Sequence, residues 1–331
     1  MTFHAYAARK AKAHLMRFDY EPKPLGRNDV EIAISHCGIC HSDVHLVDGD
    51  WGDSFPIVPG HEIIGTVVAG SGFAQGERVG VGWQCNSCGR CEYCRSGEEV
   101  LCAQHAATCQ GNFGGFADRI RVNERFAVRI PEALPSASAA PLLCGGVTVY
   151  TPLRHYAATG SRVGVIGIGG LGHLALQFAK ALGCEVTAFS RSKGKERDAR
   201  RLGADHFVAG RPRKGSLDLI LNTAHAAPDM EAYLGALRPK GVFCQLGAAA
   251  DPLSVPAFAL ISDSLTVTGS AIGSPSVIRE MLDVAARHGV AARTQVMPMR
   301  EADAALDRTR RNLARFRMVL ENPREGAGGI R

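Results

Sequence analysis

The glycine loop Gly167-Ile168-Gly169-Gly170-Leu171-Gly172 constrains the fold more than any other feature of this sequence. It separates two segments of different periodicity. Before it, Arg162–Ile166 is a short apolar run of strand type. After it, Leu171, Leu174, Ala175, Phe178 and Leu182 recur at helical spacing. A G-x-G-x-x-G gains meaning only in this strand–turn–helix setting. The first glycine permits the tight turn, the second lets the backbone approach a pyrophosphate, and the third allows the helix to pack close to the strand. The helix N-terminus adds amide donors and the positive end of its dipole. Gly167, Gly169, Gly170, Leu171 and Gly172 are therefore expected to hold a dinucleotide.

The alternation continues downstream. Glu185–Phe189, Leu217–Asn222, Gly241–Leu246 and Leu265–Gly269 read as strands. Lys195–Leu202, Asp229–Leu237 and Ser276–His288 read as helices. Such alternation implies α/β architecture, a doubly wound parallel sheet with helices on both faces. The first 145 residues differ. Val30–Ser35, Glu62–Gly70, Arg78–Val81 and Phe116–Val122 are short β-type runs separated by Gly and Pro. Near the end, a helix is expected around Glu301–Arg311 and a strand around Phe316–Leu320, with a disordered tail from Arg324. A chain of 331 residues suits two domains.

Composition narrows the function classes. With 46% hydrophobic and 21% charged residues, the chain is no disordered, collagen-like or coiled-coil protein. A net charge of +6 without a long basic run argues against a nucleic-acid partner. The most apolar stretch, Val163–Gly183, is interrupted by His173, Gln177 and Lys180, so no membrane span is expected. The N-terminus lacks a charged-then-apolar signal pattern, which makes a cytoplasmic location the default expectation. The eleven cysteines are an odd number in a long chain, which points to metal binding or catalysis rather than disulfides.

The cysteines fall into two signatures. Cys88-x2-Cys91-x2-Cys94-x7-Cys102 brings four thiolates together at short spacing, enough to close a tetrahedral structural zinc site with no position left for water. Cys85, three residues earlier, leaves a second register open. The other signature is dispersed: Cys40, His61-Glu62 and Cys144. Together these would make a Cys2His set with one open position, a ligand set already known from alcohol dehydrogenase. The glycine loop carries a cofactor preference as well. A site for NAD has an acid about 20 residues on, to hold the ribose 2′-hydroxyl. Here the second strand runs instead into Ser190-Arg191-Ser192-Lys193-Gly194-Lys195. Hydroxyls and cations suit a 2′-phosphate, so NADP(H) is expected, with Ser190, Arg191, Ser192 and Lys195 as its binding residues.

The stretches CysGlyIleCysHisSerAspValHis (37–45), ValProGlyHisGlu (58–62) and ProLeuLeuCysGlyGlyValThrValTyr (141–150) join the four-Cys lobe and the glycine loop in a wider likeness. Over nearly its whole length the sequence resembles the zinc-dependent medium-chain alcohol dehydrogenases. Within them it is most similar to the cinnamyl-alcohol-dehydrogenase-like branch and its bacterial NADPH-dependent aldehyde reductases. The resemblance implies a GroES-like β-rich catalytic domain over 1–145 and 289–331, and a Rossmann NADP-binding domain over 146–288. It implies two zinc ions per chain. Cys40, His61 and Cys144 would bind the catalytic ion, with Glu62 behind it as a transient ligand, and Cys88, Cys91, Cys94 and Cys102 would bind the structural one, which favours the register starting at Cys88. Asp43 would orient His61. Ser42 and His45 match a proton relay. His41 and Thr148 would contact the cofactor, and Trp51 falls in the substrate pocket, though it could equally be a core aromatic. Cys37, Cys109, Cys184 and Cys244 read as packing thiols. Two departures stand out. The Val208–Leu217 link is short, which reduces a peripheral helix, and Arg191 replaces a more usual serine, which strengthens phosphate binding.

The expected activity is hydride transfer between NADPH and aromatic or medium-chain aliphatic aldehydes, giving primary alcohols. An NAD-dependent zinc polyol or secondary-alcohol dehydrogenase is the alternative enzyme, and a non-catalytic NADP- and zinc-binding protein the alternative class. The Leu265–Gly273 edge and the resemblance suggest a homodimer. The natural aldehyde cannot be read from the sequence, because a pocket is built from distant segments.

Overall fold

The computed structural model describes residues 1–52, 54–249 and 251–323; the tail from Arg324, expected to be disordered, lies outside them. The chain divides into two units. One contains Met1–Cys144, Gly273–Ala286 and the chain from Ala291 on. The other contains Gly145–Ile272 and Arg287–Val290.

The second unit is a six-stranded, all-parallel sheet. Its strands lie in the order His206–Val208, Glu185–Phe189, Arg162–Ile166, Leu217–Asn222, Leu237–Gln245, Thr266–Gly269. Arg162–Ile166 comes first in the chain and sits in the middle, with Glu185–Phe189 on one side and Leu217–Asn222 on the other. The strand order therefore reverses beside it, and the glycine loop leaves its C-terminal end at that switch point, where open α/β sheets bind ligands. Val163, Val165, Leu219, Ile220 and Leu221 are fully buried, the near-continuous apolar pattern of strands covered on both faces. The helix Gly172–Ala181 buries Leu174, Ala175 and Phe178, as its periodicity requires. The 209–216 link carries turns and no helix, in keeping with its short length.

The first unit is built on a seven-stranded sheet around the long strand Asp29–Ile39, which pairs with Ile63–Gly70, Arg119–Asn123 and Arg317–Glu321. The last of these comes from the far end of the chain and runs antiparallel to it, with Met318 opposite Ile39 and Leu320 opposite Cys37. Two consequences follow for the site. Strand Asp29–Ile39 delivers Cys40 at its end, and strand Ile63–Gly70 begins directly after His61 and Glu62.

Several features depart from the sequence reading, four of which bear on the site or the division into units. Helix Pro275–His288 was expected to close the nucleotide-binding half, yet Gly273–Ala286 groups with the first unit. Its Ile278 lies beside Gly82, and the Ser274 hydroxyl donates to the Gly97 carbonyl. An apolar stripe announces that a helix will be covered but not by which sheet. Helix Gly145–Tyr156 was not foreseen, because it opens on two glycines, contains Pro152 and carries the β-branched run Val147-Thr148-Val149. Burial of Val147, Val149 and Leu153 overrides those propensities. Helix His41–Asp48 was missed for want of a clear apolar period. The expected strand Phe116–Val122 becomes Arg119–Asn123, while the Phe116 carbonyl accepts from Tyr6 N–H at 2.8 Å and Ala117 bridges to Ala5 in the unforeseen N-terminal strand Phe3–Ala7. Among the described residues, no helix is long and apolar enough to cross a membrane.

The glycine loop yields a stability contrast. A Cβ on Gly172 would sit 1.9 Å from the Gly167 carbonyl oxygen, whereas one on Gly169 meets nothing within 4 Å. Gly172→Ala should therefore destabilise by about 1–3 kcal/mol, seen as a lower thermal midpoint, and Gly169→Ala should leave that midpoint nearly unchanged.

Candidate active site

Cys40 caps helix His41–Asp48, and Asp43 occupies the third position of that helix. The Asp43 carboxylate accepts the Cys40 backbone N–H at 2.8 Å through Oδ2. Through Oδ1 it accepts the Gly60 N–H at 2.8 Å and meets His61 Nδ1 at 3.0 Å. Asp43 and His61 are fully buried. With Nδ1–H committed to Asp43, the Nε2 lone pair of His61 faces inward. The Cys40 and Cys144 sulfurs, a His61 nitrogen and a Glu62 oxygen all lie within 4.8 Å of one another.

This cluster fits a metal ion. His61 Nε2 and Glu62 Oε2 are buried with no hydrogen-bond partner. An unsatisfied buried polar atom costs about 1–3 kcal/mol, so each such atom calls for an explanation. A cation at the centre of one nitrogen and two sulfur donors supplies one, and these donors are those that zinc prefers. The electrostatics agree. The neighbouring Cys144 sulfur, together with the nearby His61 and Arg317, holds the Cys40 thiol well below its ordinary pKa. Cys144, beside Cys40 and itself buried, is pushed up. Burial opposes protonation of His61, but Asp43 and the sulfurs of Cys144 and Cys109 outweigh it and raise its pKa. Burial raises the Glu62 carboxyl to about 7 against the pull of Arg317, whose guanidinium bonds to Glu62 Oε1.

The second cysteine set lies in the excursion between strands Arg78–Val81 and Arg119–Asn123. The sulfurs of Cys88, Cys91, Cys94 and Cys102 lie within 4.8 Å of one another. The backbone N–H groups of Arg90 and Cys91 point at Cys88 Sγ from 3.5 and 3.4 Å and lower its thiol to about 6. The Ser87 hydroxyl lies 3.3 Å from Cys94 Sγ and lowers that thiol too, and Arg125 holds Ser87 Oγ at 3.0 Å. Cys85 stands apart. Its sulfur faces the Ala106 and Ala107 carbonyls at 3.5 and 3.4 Å, and burial pushes its thiol up to about 12. Acceptors around a sulfur favour the neutral thiol, so the register starting at Cys88 is the one the fold assembles.

In the second unit, Gly167 adopts φ +86°, the left-handed turn the loop needs. Thr223 Oγ1 pins the turn by donating to the Ile166 and Gly167 carbonyls at 2.8 and 3.0 Å. Gly169 leaves open space before the helix. Leu171 stands at the N-cap of helix Gly172–Ala181. Ser190 follows strand Glu185–Phe189, and its Oγ accepts the Ser192 N–H at 3.2 Å. Arg191 is exposed, and Lys195 Nζ donates to the Ile168 carbonyl at 3.0 Å, which brings a cation onto the glycine loop itself.

Residues 26–132 match the alcohol dehydrogenase GroES-like domain, and residues 170–287 match the zinc-binding dehydrogenase domain. An aldehyde reductase AdhA from Synechocystis is 40% identical over 96% of this chain and 98% of its own length. A cinnamyl alcohol dehydrogenase from Sorghum bicolor superposes with a TM-score of 0.93 at 40% identity, covering 97% of this chain and 98% of that one. The cinnamyl alcohol dehydrogenase of Helicobacter pylori, complexed with NADP(H), gives 0.90 at 31% identity, covering 97% and 98%.

The chain belongs to the zinc-dependent medium-chain alcohol dehydrogenases.

It falls in their cinnamyl-alcohol-dehydrogenase-like branch and is an oxidoreductase acting on CH–OH groups. In this dehydrogenase Ser42 Oγ lies 3.6 Å from Cys40 Sγ, and His45 sits on the same helix. The His41 ring is 6.4 Å from that of His45. Trp51, at 39% exposure, is no core aromatic. Thr148 is buried on helix Gly145–Tyr156, in the other unit from the zinc ligands. Cys37, Cys184 and Cys244 are buried, as expected of packing thiols. Cys109 has a closer neighbour than a packing role supplies, with its sulfur 3.6 Å from His61 Nδ1. Sequence reasoning missed three residues. Trp83 stands edge-on to His61, with centroids 4.8 Å apart, and meets Trp51 at 6.1 Å. Asp50 lies 2.8 Å from His45 Nδ1. Arg317 holds Glu62; its one visible signal was an arginine inside the apolar run Phe316–Leu320.

Metal analysis checks both cysteine sets. The purified protein should carry two zinc ions per chain, falling to one in Cys40→Ala with the fold retained. Cys94→Ser should also lose one ion, but with a clearly lower thermal midpoint. Asp43→Ala should weaken the first ion by about 10- to 100-fold in a chelator competition.

Proposed function

We propose that this dehydrogenase works chiefly as an NADPH-dependent aldehyde reductase, converting aromatic or medium-chain aliphatic aldehydes to primary alcohols. The observation that carries the reading is the Cys40–His61–Cys144 donor set, half-buried at Cys40 and buried at the other two, with its unpartnered His61 Nε2. When bound, zinc lowers the pKa of a coordinated hydroxyl from about 16 to about 7, worth about 12 kcal/mol, and the nicotinamide exchanges the hydride.

The residues of the chain divide the remaining work. Cys40, His61 and Cys144 hold the metal. Asp43 fixes the imidazole and its tautomer. Arg317 keeps the Glu62 carboxylate paired beside the residues that would hold the metal, where the resemblance places a transient ligand. Ser42 and His45 pass a proton between the substrate oxygen and solvent. Trp51 and Trp83 offer an aromatic wall, which suits aromatic aldehydes.

NADP(H) rather than NAD(H) is supported by Ser190, Arg191, Ser192 and Lys195, where an acid would stand for NAD, and by the relative bound to NADP(H). His41 and Thr148 are assigned to the cofactor on the resemblance. A homodimer is supported by the edge strand Thr266–Gly269, which among the described residues has a neighbour on one side only. Beside it in the chain, helix Ala257–Asp263 exposes Phe258 and Ile261 by 78% and 73%. An open edge flanked by exposed apolar side chains invites pairing with a second copy. A cytoplasmic setting agrees with the eleven cysteines, none of which is joined in a disulfide.

Initial rates of cofactor oxidation with an aromatic aldehyde test the reading directly. NADPH should be favoured over NADH by about tenfold or more in kcat/KM, and Ser190→Asp should reverse most of that preference. Equal rates with both cofactors would overturn the assignment of the Ser190–Lys195 loop. Light scattering should give the mass of two chains, and Phe258→Asp with Ile261→Asp should give the mass of one.

A further inference from the structure

The link between Val208 and Leu217 is short and basic. Three of its eight residues are cations: Arg211, Arg213 and Lys214. Strand pairing sets it beside the Ser190–Lys195 loop. Phe189 lies opposite Val208, and the Ser190 N–H donates to the Val208 carbonyl at 3.2 Å. Both segments thus leave the C-terminal ends of adjacent parallel strands, the side of the sheet from which the glycine loop also leaves. Lys195, bonded to the Ile168 carbonyl at 3.0 Å, joins the three segments into one basic surface. Residues 190–216 hold nine Lys and Arg against three Asp and Glu, an excess equal to the +6 of the whole chain. The rest of the sequence is electrically balanced. All nine cations are exposed. Of the three acids, Asp198 is buried, Asp205 is held by Lys180 at 2.6 Å, and Glu196 by Arg200 at 2.9 Å. The acids that flank the link come from helix Met230–Ala236 and its cap. Asp229 meets Arg211 at 3.6 Å, and Glu231 shares a surface groove with Lys214, while Arg213 lies outside that groove.

We propose that this surface captures the phosphorylated dinucleotide electrostatically, with Arg213 and Lys214 of the short link drawing its 2′-phosphate end toward the glycine loop before contact is made. The inference rests on the reading of NADP(H) as the cofactor. It separates two tasks. Ser190 and Ser192 hold the phosphate once it has arrived, whereas Arg213 and Lys214 set how fast it arrives. A field of one sign over a cleft raises association rates by about 10- to 1,000-fold. The effect fades with salt, because the Debye length falls from about 30 Å at 0.01 M to about 8 Å at 0.15 M. A phosphate monoester adds about 1.5 to 2 negative charges at pH 7, so NADPH feels the surface more strongly than NADH does. The concentration of the whole chain's excess charge on one side of the cofactor loop, with the remainder neutral, is what gives the field its direction.

Stopped-flow fluorescence of NADPH mixed with the zinc enzyme reads arrival and departure separately and needs no turnover. The wild-type on-rate should fall about tenfold between about 0.01 M and about 0.3 M NaCl, with a steeper slope for NADPH than for NADH. Arg213→Glu combined with Lys214→Glu should lower the NADPH on-rate about fivefold at the low salt, keep the off-rate within about twofold, and meet the wild-type on-rate at the high salt. Arg213→Gln combined with Lys214→Gln should fall between the two. Both positions are exposed, so the thermal midpoint should stay near that of wild type. A salt-independent on-rate overturns the proposal, and so does a wild-type on-rate in the Glu variant. A faster off-rate that persists at the high salt assigns the two residues to direct contact and overturns it as well. Failure of the cofactor reading looks different: equal kcat/KM for NADPH and NADH removes the NADP(H) assignment, and the capture role with it, whatever the on-rates.

Discussion

The Asp43 carboxylate joins two segments that chain connectivity leaves apart, its own helix start and the Gly60-His61 turn. It accepts from the N-cap of its own helix at Cys40, from Gly60 at the foot of the next strand, and from the His61 imidazole. Every one of those partners belongs to the candidate metal-binding set or is the neighbour of a member. A buried carboxylate is costly unless its lone pairs are used, and here hydrogen bonds to backbone and ring use them. The geometry of the metal-binding donors thus follows from satisfying one buried acid. The tautomer of His61 follows as well, because the proton on Nδ1 is the one Asp43 holds.

A second buried charge depends on the far end of the chain. Glu62 follows His61 in sequence, and its carboxylate would be strongly disfavoured in the core without a cation. Arg317 supplies it from a strand that lies 255 residues away and pairs with Asp29–Ile39. Removing one member of such a pair costs more than the pair contributes, because the partner is left buried and uncompensated. The return of the C-terminal segment to the first sheet is therefore part of the electrostatics of the site and not only of its packing.

Sheet and helix termini place the remaining chemistry. The dinucleotide loop leaves the C-terminal end of the central strand of a parallel sheet, where the strand order reverses. Helix His41–Asp48 begins where strand Asp29–Ile39 ends. Its glycine cap turns the chain so that Asp50 and Trp51 return to the imidazole of His45.

Much of this was legible in the sequence because it is local. The Cys88–Cys102 set needs fifteen residues, the glycine loop six, and the Ser190–Lys195 stretch six, and each carries its chemistry in its spacing. The parallel sheet was legible because strand and helix periods alternate over a hundred residues. The dispersed donors Cys40, His61, Glu62 and Cys144 were reached through resemblance, since no spacing rule links residues a hundred positions apart. What only the tertiary structure decided is non-local: that Arg317 meets Glu62, that Trp83 stands between Trp51 and His61, that Cys109 touches the imidazole, and that helix Pro275–His288 joins the first unit. The physical reason is the same in each case. Local spacing and periodicity report what a segment needs, a partner charge, a ligand or a covering face, while the identity of the partner is settled only when distant strands pair.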